Sequence, residues 1–87
     1  MILLNHIMTD NIPSTSLLSL KQGHRARIAE IHGGREMVRR MMSLGLRVGS
    51  IVDVINHRGK GVVVGNSGAR VALGCGVAEK LLVEPLD

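Results

Sequence analysis

The chain has 87 residues, which is enough for one small domain and excludes a second one. It contains no Phe, Tyr or Trp, so its core must be built from Ile, Leu, Val, Met and Ala. The missing aromatics also make nucleic acid an unlikely ligand, because proteins that bind single strands usually stack bases on aromatic rings. The net charge of +4 favours an acidic partner, which leaves an acidic protein patch, nucleic acid and a membrane surface open.

Cysteine usage and the apolar segments bear on the compartment. Cys75 is the only cysteine in the sequence, so no disulfide can form within the chain, which fits a reducing compartment. The N-terminal MILLNHIM lacks a basic segment and a small-residue cleavage site, so we expect no signal peptide. No run approaches the roughly 18 consecutive apolar residues of a membrane span. We therefore expect a cytoplasmic protein without a membrane span.

The chain begins with a predicted extension, residues 1–16, and the domain is predicted to occupy 17–87. Ser16 is placed to cap a short helical turn that runs through Leu17 and ends by Gly23.

The first predicted strand covers 24–31, with Ala26 and Ile28 on its inner face. Ile31 follows Ile28 by three positions instead of two, so the alternation slips. A bulge near residues 29–30 would return Ile31 to the inner face.

One helix is predicted, over 35–44. Its apolar stripe is predicted to consist of Met37, Val38, Met41 and Met42. Gly45 can take the left-handed conformation that ends helices, and Leu46 can then fold back onto Met41.

The second half of the chain is predicted to be mostly strands. A basic glycine-rich loop, 57–61, is expected after the second strand, and a three-residue turn, 66–68, is expected to join a hairpin. A short helical turn is predicted around 77–79. The predicted strands are 51–56, 62–65, 69–73 and 81–83. About five such strands with one helix favour a mainly β fold, a small SH3-like barrel, because closure removes exposed strand edges.

Three segments carry a resemblance to a known family. They are LLSLKQGHRARIAEI at 17–31, RRMMSLGLRVGSIVDVI at 39–55 and GARVALGCGVAEKLLV at 68–83. In these stretches the chain resembles the ferrous iron transport protein A family (FeoA), cytoplasmic SH3-like domains. Segment 56–64 departs from the family pattern, since relatives often carry a proline there.

The resemblance implies an accessory role in ferrous iron uptake without catalysis or a cofactor. The implied partner is the membrane ferrous iron transporter B, through its cytoplasmic GTP-binding part. The same barrel is similar to the C-terminal domain of iron-dependent repressors, which leaves a metal-sensing module as an alternative. A basic nucleic-acid-binding barrel is the other alternative, and self-association also stays open.

The basic helix is the candidate partner-binding site. Arginine favours bidentate contacts with carboxylates or phosphates. The competing interpretation is a solvated face on which Glu36 pairs with Arg39 or Arg40. The predicted contact residues are Arg35, Arg39, Arg40, Leu44, Leu46 and Arg47.

Other site chemistries find little support in the sequence. The four histidines, His6, His24, His32 and His57, have no obvious nucleophile or orienting partner, and no metal-ligand spacing includes Cys75. Gly59-Lys60-Gly61 is too short for a phosphate-binding loop and precedes a strand instead of a helix. We therefore predict no catalytic residue and no metal ligand.

Overall fold

A computed structural model of the chain describes residues 14–86, whose strands form one antiparallel sheet. The predicted extension lies largely outside these described residues. Its last two residues, however, form a strand paired with the end of the chain. The strands are β1 (Thr15–Ser16), β2 (Arg25–Ile31), β3 (Ile51–Arg58), β4 (Gly61–Asn66), β5 (Ala69–Leu73) and β6 (Leu81–Pro85).

Three helical segments connect the strands: a 3-10 turn (Leu17–Ser19), helix α1 (Gly34–Ser43) and helix α2 (Cys75–Ala78). Ser16 caps the 3-10 turn by accepting a hydrogen bond from the Leu18 amide at 3.1 Å, which confirms the predicted cap, although the turn closes at Leu20 before reaching Gly23.

The strand order β1-β6-β2-β3-β4-β5 confirms the mainly β class but gives six strands where about five were predicted. Within residues 14–86, β1 and β5 remain the two edges, so strand pairing does not close the sheet as expected. Instead α2 packs against both β4 and the 3-10 turn, and buried Ala78 and Leu17 join the core from these segments. Side chains on short helical turns thus fill the space that a further strand pair would occupy.

The core follows the two-residue period of the strands. In each strand from β2 to β6, alternate apolar side chains point inward and are buried. These are Ala26, Ile28, Val52, Val54, Val62, Val64, Val71, Leu73, Leu81 and Val83.

Two irregularities shape the central strands. The pairing of β2 with β6 shifts between Ile28 and Glu30, which confirms the predicted bulge. A second shift, between Val54 and Asn56, was not predicted. Because β3 continues past this second bulge to Arg58, the predicted basic loop at 57–61 is wrong in its extent.

The loop at this end is a two-residue turn. His57 and Arg58 belong to β3, and only Gly59 and Lys60 lie between β3 and β4. The next hairpin is also tighter than predicted. Asn66 pairs with Ala69, so the turn is Ser67–Gly68, and both residues have positive φ, at 52° and 85°. This pattern fits a type I′ turn, whose twist matches that of the flanking strands.

Helix α1 ends as the sequence predicts. Gly45 has φ 86°, the Gly45 amide donates to the Met42 carbonyl at 2.9 Å, and the Leu46 amide donates to the Met41 carbonyl at 2.8 Å. These two bonds form a Schellman motif. They turn the chain back so that Leu46 is fully buried.

Truncation of Leu46 should show its role in the core. We expect Leu46→Ala to lower the free energy of unfolding by about 2–5 kcal/mol, because a fully buried leucine leaves a cavity. Leu44→Ala is the matched control. Leu44 is 44% exposed, so its truncation should cost about 0.5 kcal/mol or less. Urea unfolding of both variants measures the difference, and equal losses would contradict the assigned burial.

The conformation of Gly45 gives a second prediction. A Cβ at Gly45 would meet only the Asn66 amide nitrogen, at 3.6 Å, so Gly45→Ala should suffer mainly from its positive φ, by about 1–2 kcal/mol. Gly76→Ala is the control, because Gly76 lacks a positive φ and its Cβ would meet nothing within 4 Å. We expect that control to be neutral or slightly stabilising in thermal unfolding. A similar loss in both variants would refute the conformational explanation.

Candidate protein-docking surface

Helix α1 presents a narrower apolar stripe to the core than the sequence predicts. Met37 and Met41 are buried. Val38 and Met42 are 36% and 57% exposed, so half of the predicted stripe faces outward. The helix rests on the sheet through one line of side chains, and the neighbouring apolar positions remain accessible.

These accessible positions lie beside two arginines. Arg35, Val38, Arg39 and Met42 follow the i, i+3, i+4, i+7 spacing that places residues on one side of a helix. All four are exposed. We call these four residues the helix patch, which combines two apolar side chains with two positive charges.

The third predicted arginine of the helix lies apart from this patch. Arg40 is about 100° around the helix axis from Arg39, and it shares its side with Glu36, four residues earlier. Within residues 14–86, Glu36 makes no ion pair with Arg39 or Arg40. The solvated ion pair considered from the sequence is therefore not formed in this structure.

The turn after the helix extends the exposed apolar surface. Val48 is 59% exposed at the tip of a turn in which the Arg47 amide donates to the Ser50 hydroxyl and the Ser50 amide donates to the Arg47 carbonyl. The Gly49 amide also donates to the Ile28 carbonyl at 2.8 Å, which ties the turn to β2. The backbone thus holds Val48 outside the core.

Leu46 requires a correction. It was predicted to contact a partner, but the Schellman motif places it wholly inside the core. Leu44 and Arg47, on either side of it, are exposed as that prediction requires. Leu46 therefore supports the surface from beneath and is not available for contact.

Exposed large apolar side chains are concentrated in this region. Among residues 14–86 there are six such residues, of which five lie between positions 38 and 51 and the sixth is Leu86. Ile51 belongs to this group and was missed, although the inward alternation of Val52 and Val54 already implied that it faces outward. The helix patch and the turn 44–51 together form what we call the docking surface, with exposed apolar residues Val38, Met42, Leu44, Val48 and Ile51.

Two of the histidines have hydrogen-bond partners within the chain. His32 Nε2 lies 2.7 Å from the Glu30 carboxylate, and His57 Nε2 lies 2.8 Å from the Leu20 carbonyl, which links β3 to the end of the 3-10 turn. In the described part of the chain, no three His, Cys, Asp or Glu side chains gather as metal ligands would. His6 lies outside the described residues.

None of the helices between positions 14 and 86 has the length and apolar character needed to cross a bilayer.

Comparison with known proteins gives a consistent result. The family model for the FeoA domain matches residues 15–85. The candidate Fe(2+) transport protein A of Methanocaldococcus jannaschii is 31% identical over 67 residues, which cover 77% of this chain and 82% of that protein.

Solved structures share the fold. A crystal structure of the iron uptake regulatory protein FeoA superposes with a TM-score of 0.79 at 26% identity, covering 85% of this chain and 99% of that one. The solution structure of FeoA from Chlorobium tepidum gives 0.76 at 28% identity, over 84% and 71% of the two chains. A manganese-dependent transcriptional repressor gives 0.78 at 26% identity, and this chain covers 42% of that protein.

The agreement of the family model, the Methanocaldococcus jannaschii relative and the structural neighbours establishes the family. This chain belongs to the FeoA domain family, whose members are implicated in ferrous iron transport, and it has their SH3-like fold.

Proposed function

We propose that this protein is a cytoplasmic, non-catalytic accessory protein of ferrous iron uptake. It acts by binding the cytoplasmic GTP-binding part of the ferrous iron transporter B through the docking surface. Family membership supports the link to iron transport. The observation that carries the docking role is the concentration of exposed apolar side chains next to arginines on α1 and the turn after it.

The composition of the docking surface fits protein recognition. Full burial of a Val, Leu, Ile or Met side chain contributes roughly 1.5–3 kcal/mol, so several partly exposed ones offer a useful gain on binding. Arg35, Arg39 and Arg47 surround them and form no ion pair among the described residues. Arginine is enriched at the energetic centres of interfaces. The complementary surface would be apolar with carboxylates at its margin.

The rigidity of the docking surface also supports this role. Met41 and Leu46 anchor its underside in the core, and the paired hydrogen bonds between Arg47 and Ser50 fix the turn. A preorganised surface loses little conformational entropy on binding, which favours affinity.

A metal-responsive module is the second candidate, because the fold matches that of a manganese-dependent transcriptional repressor. A metal site in this chain would need a rearrangement that brings ligands together, since no three His, Cys, Asp or Glu side chains of residues 14–86 form a group in this structure. Calorimetric titration of the full chain with Mn²⁺ tests this candidate. A stoichiometric complex with a dissociation constant near 1 µM, about −8 kcal/mol, would support it.

The docking proposal predicts a charge-and-apolar double variant that loses binding. Arg39→Glu with Met42→Asp should weaken capture of the co-expressed transporter at least tenfold, since it reverses one contact charge and places a carboxylate in the apolar part (about 1.4 kcal/mol per tenfold change). The measurement is a pull-down from solubilised membranes with the tagged full chain as bait.

The matched control is Lys21→Glu with Leu86→Asp. It changes the net charge equally and also replaces one exposed apolar residue, but outside the docking surface. We expect this control to retain the transporter, and circular dichroism should show both variants folded. Equal capture by both variants would contradict the assigned docking surface. No capture by the unaltered protein would contradict the transporter as the partner.

A further inference from the structure

Among residues 14–86, strand β5 has no paired strand on the side away from β4. Because Asn66 and Ala69 flank a two-residue turn, they form a hydrogen-bonded pair, and the pairing alternates from there along the hairpin. The backbone N–H and C=O groups of Arg70 and Ala72 therefore point away from β4. Among residues 14–86, no strand pairs with this edge and no backbone group accepts from either amide.

A depression lies beside this edge on the outer face of the sheet. Its volume is about 370 Å³, and the residues that line it include Arg58, Val63, Ala72 and Gly74. Val63 and Ala72 are paired across β4 and β5. An extended chain laid along β5 would therefore place alternate side chains toward this depression, which has room for a medium-sized apolar group.

The charge around the edge is mainly positive. Arg58 lies at one end of the depression, Lys60 lies in the adjoining turn, and Arg70 lies at the other end of β5. Asp53 is the one carboxylate among the residues that line the two depressions along β5, and it lines the smaller one together with Arg70. A bound segment should accordingly be acidic.

The same charges argue against a second copy as the occupant. Two β5 strands paired antiparallel around Val71 would place Arg70 of one copy near the Arg58 and Lys60 end of the other. Like charges across strands are destabilising, and each chain carries a net charge of +4.

We propose that β5 is a docking edge for an extended acidic segment of a partner protein. The segment adds as an antiparallel strand that exchanges hydrogen bonds with Arg70 and Ala72, inserts an apolar side chain beside Val63, and places carboxylates near Arg58 and Lys60. This is the strand-addition mode of peptide recognition, in which backbone bonds provide affinity and pockets provide specificity. It uses a different surface from α1 and does not depend on the transporter proposal.

The test uses the full chain, isotopically labelled for NMR, and the peptide acetyl-Thr-Glu-Thr-Val-Thr-Glu-Thr-amide, whose valine and two glutamates lie on one face of an extended strand. We expect shift changes centred on Arg70, Ala72 and Val63, with slower amide exchange at Arg70 and Ala72. The lysine counterpart, acetyl-Thr-Lys-Thr-Val-Thr-Lys-Thr-amide, should not bind.

Two pairs of variants separate backbone pairing from charge. Ala72→Pro removes one edge donor and should weaken binding about tenfold, whereas Ala72→Val keeps the donor and should retain affinity. Proline is tolerated on an edge strand where its nitrogen faces solvent. Arg58→Glu should weaken binding about three- to tenfold, and Lys80→Glu, outside the depression, should change it little. N-methylation of alternate peptide residues repeats the backbone test without altering the protein.

Several results would overturn the proposal. One is the absence of binding at up to about 1 mM acidic peptide, which would mean a binding free energy weaker than about −4 kcal/mol. Others are shift changes confined to α1, unchanged affinity for the N-methylated peptide, and amides of Arg70 and Ala72 that are already protected from exchange in the free chain. The last would mean that another part of this chain or a second copy covers the edge.

Discussion

The Leu46 amide reaches back to the Met41 carbonyl, and this bond forms only because Gly45 takes a left-handed conformation. The resulting turn buries Met41 and Leu46 together and leads the chain directly into β3. The Asn66 side chain donates to the Gly45 carbonyl at 2.7 Å, so the end of β4 also holds this turn. The attachment of the helix to the sheet, and hence the shape of the docking surface, depends on this one helix end.

The two docking surfaces that we propose lie on different parts of the fold. On α1 and the turn after it, side chains are exposed because the helix lies on the sheet through a single line of methionines. On β5, the outward backbone groups of Arg70 and Ala72 have no strand partner among residues 14–86, where α2 packs against β4 and the 3-10 turn. Both surfaces carry positive charge. A protein of this size, with a thin core, can thus support recognition in two places without an enclosed site.

Features that depend on residues close together in the sequence were easier to predict than features that depend on distant segments. The bulge in β2 and the end of α1 were predictable, since a slipped alternation and a glycine are visible within a few residues. The exposure of Val38 and Met42 was not, because helical periodicity shows which side is apolar and not how deeply the helix lies. Leu46 was misassigned as a contact, although hydrophobic contact of this position with the helix often accompanies a Schellman motif. The open edge at β5 depends on pairings that the sequence does not display.

The central claim is that α1 and the turn after it bind the transporter. NMR and amide-exchange measurements on the full chain, with and without the isolated cytoplasmic GTP-binding domain of the ferrous iron transporter B, test it most directly. The account predicts signal loss or protection for residues of the helix patch and of the turn 44–51, with Leu46 protected in the free protein already. It also predicts that added salt weakens the effect, because exposed arginines contribute to it. Perturbations that leave α1 and this turn unchanged, or their absence at high domain concentration, would contradict the assigned docking surface.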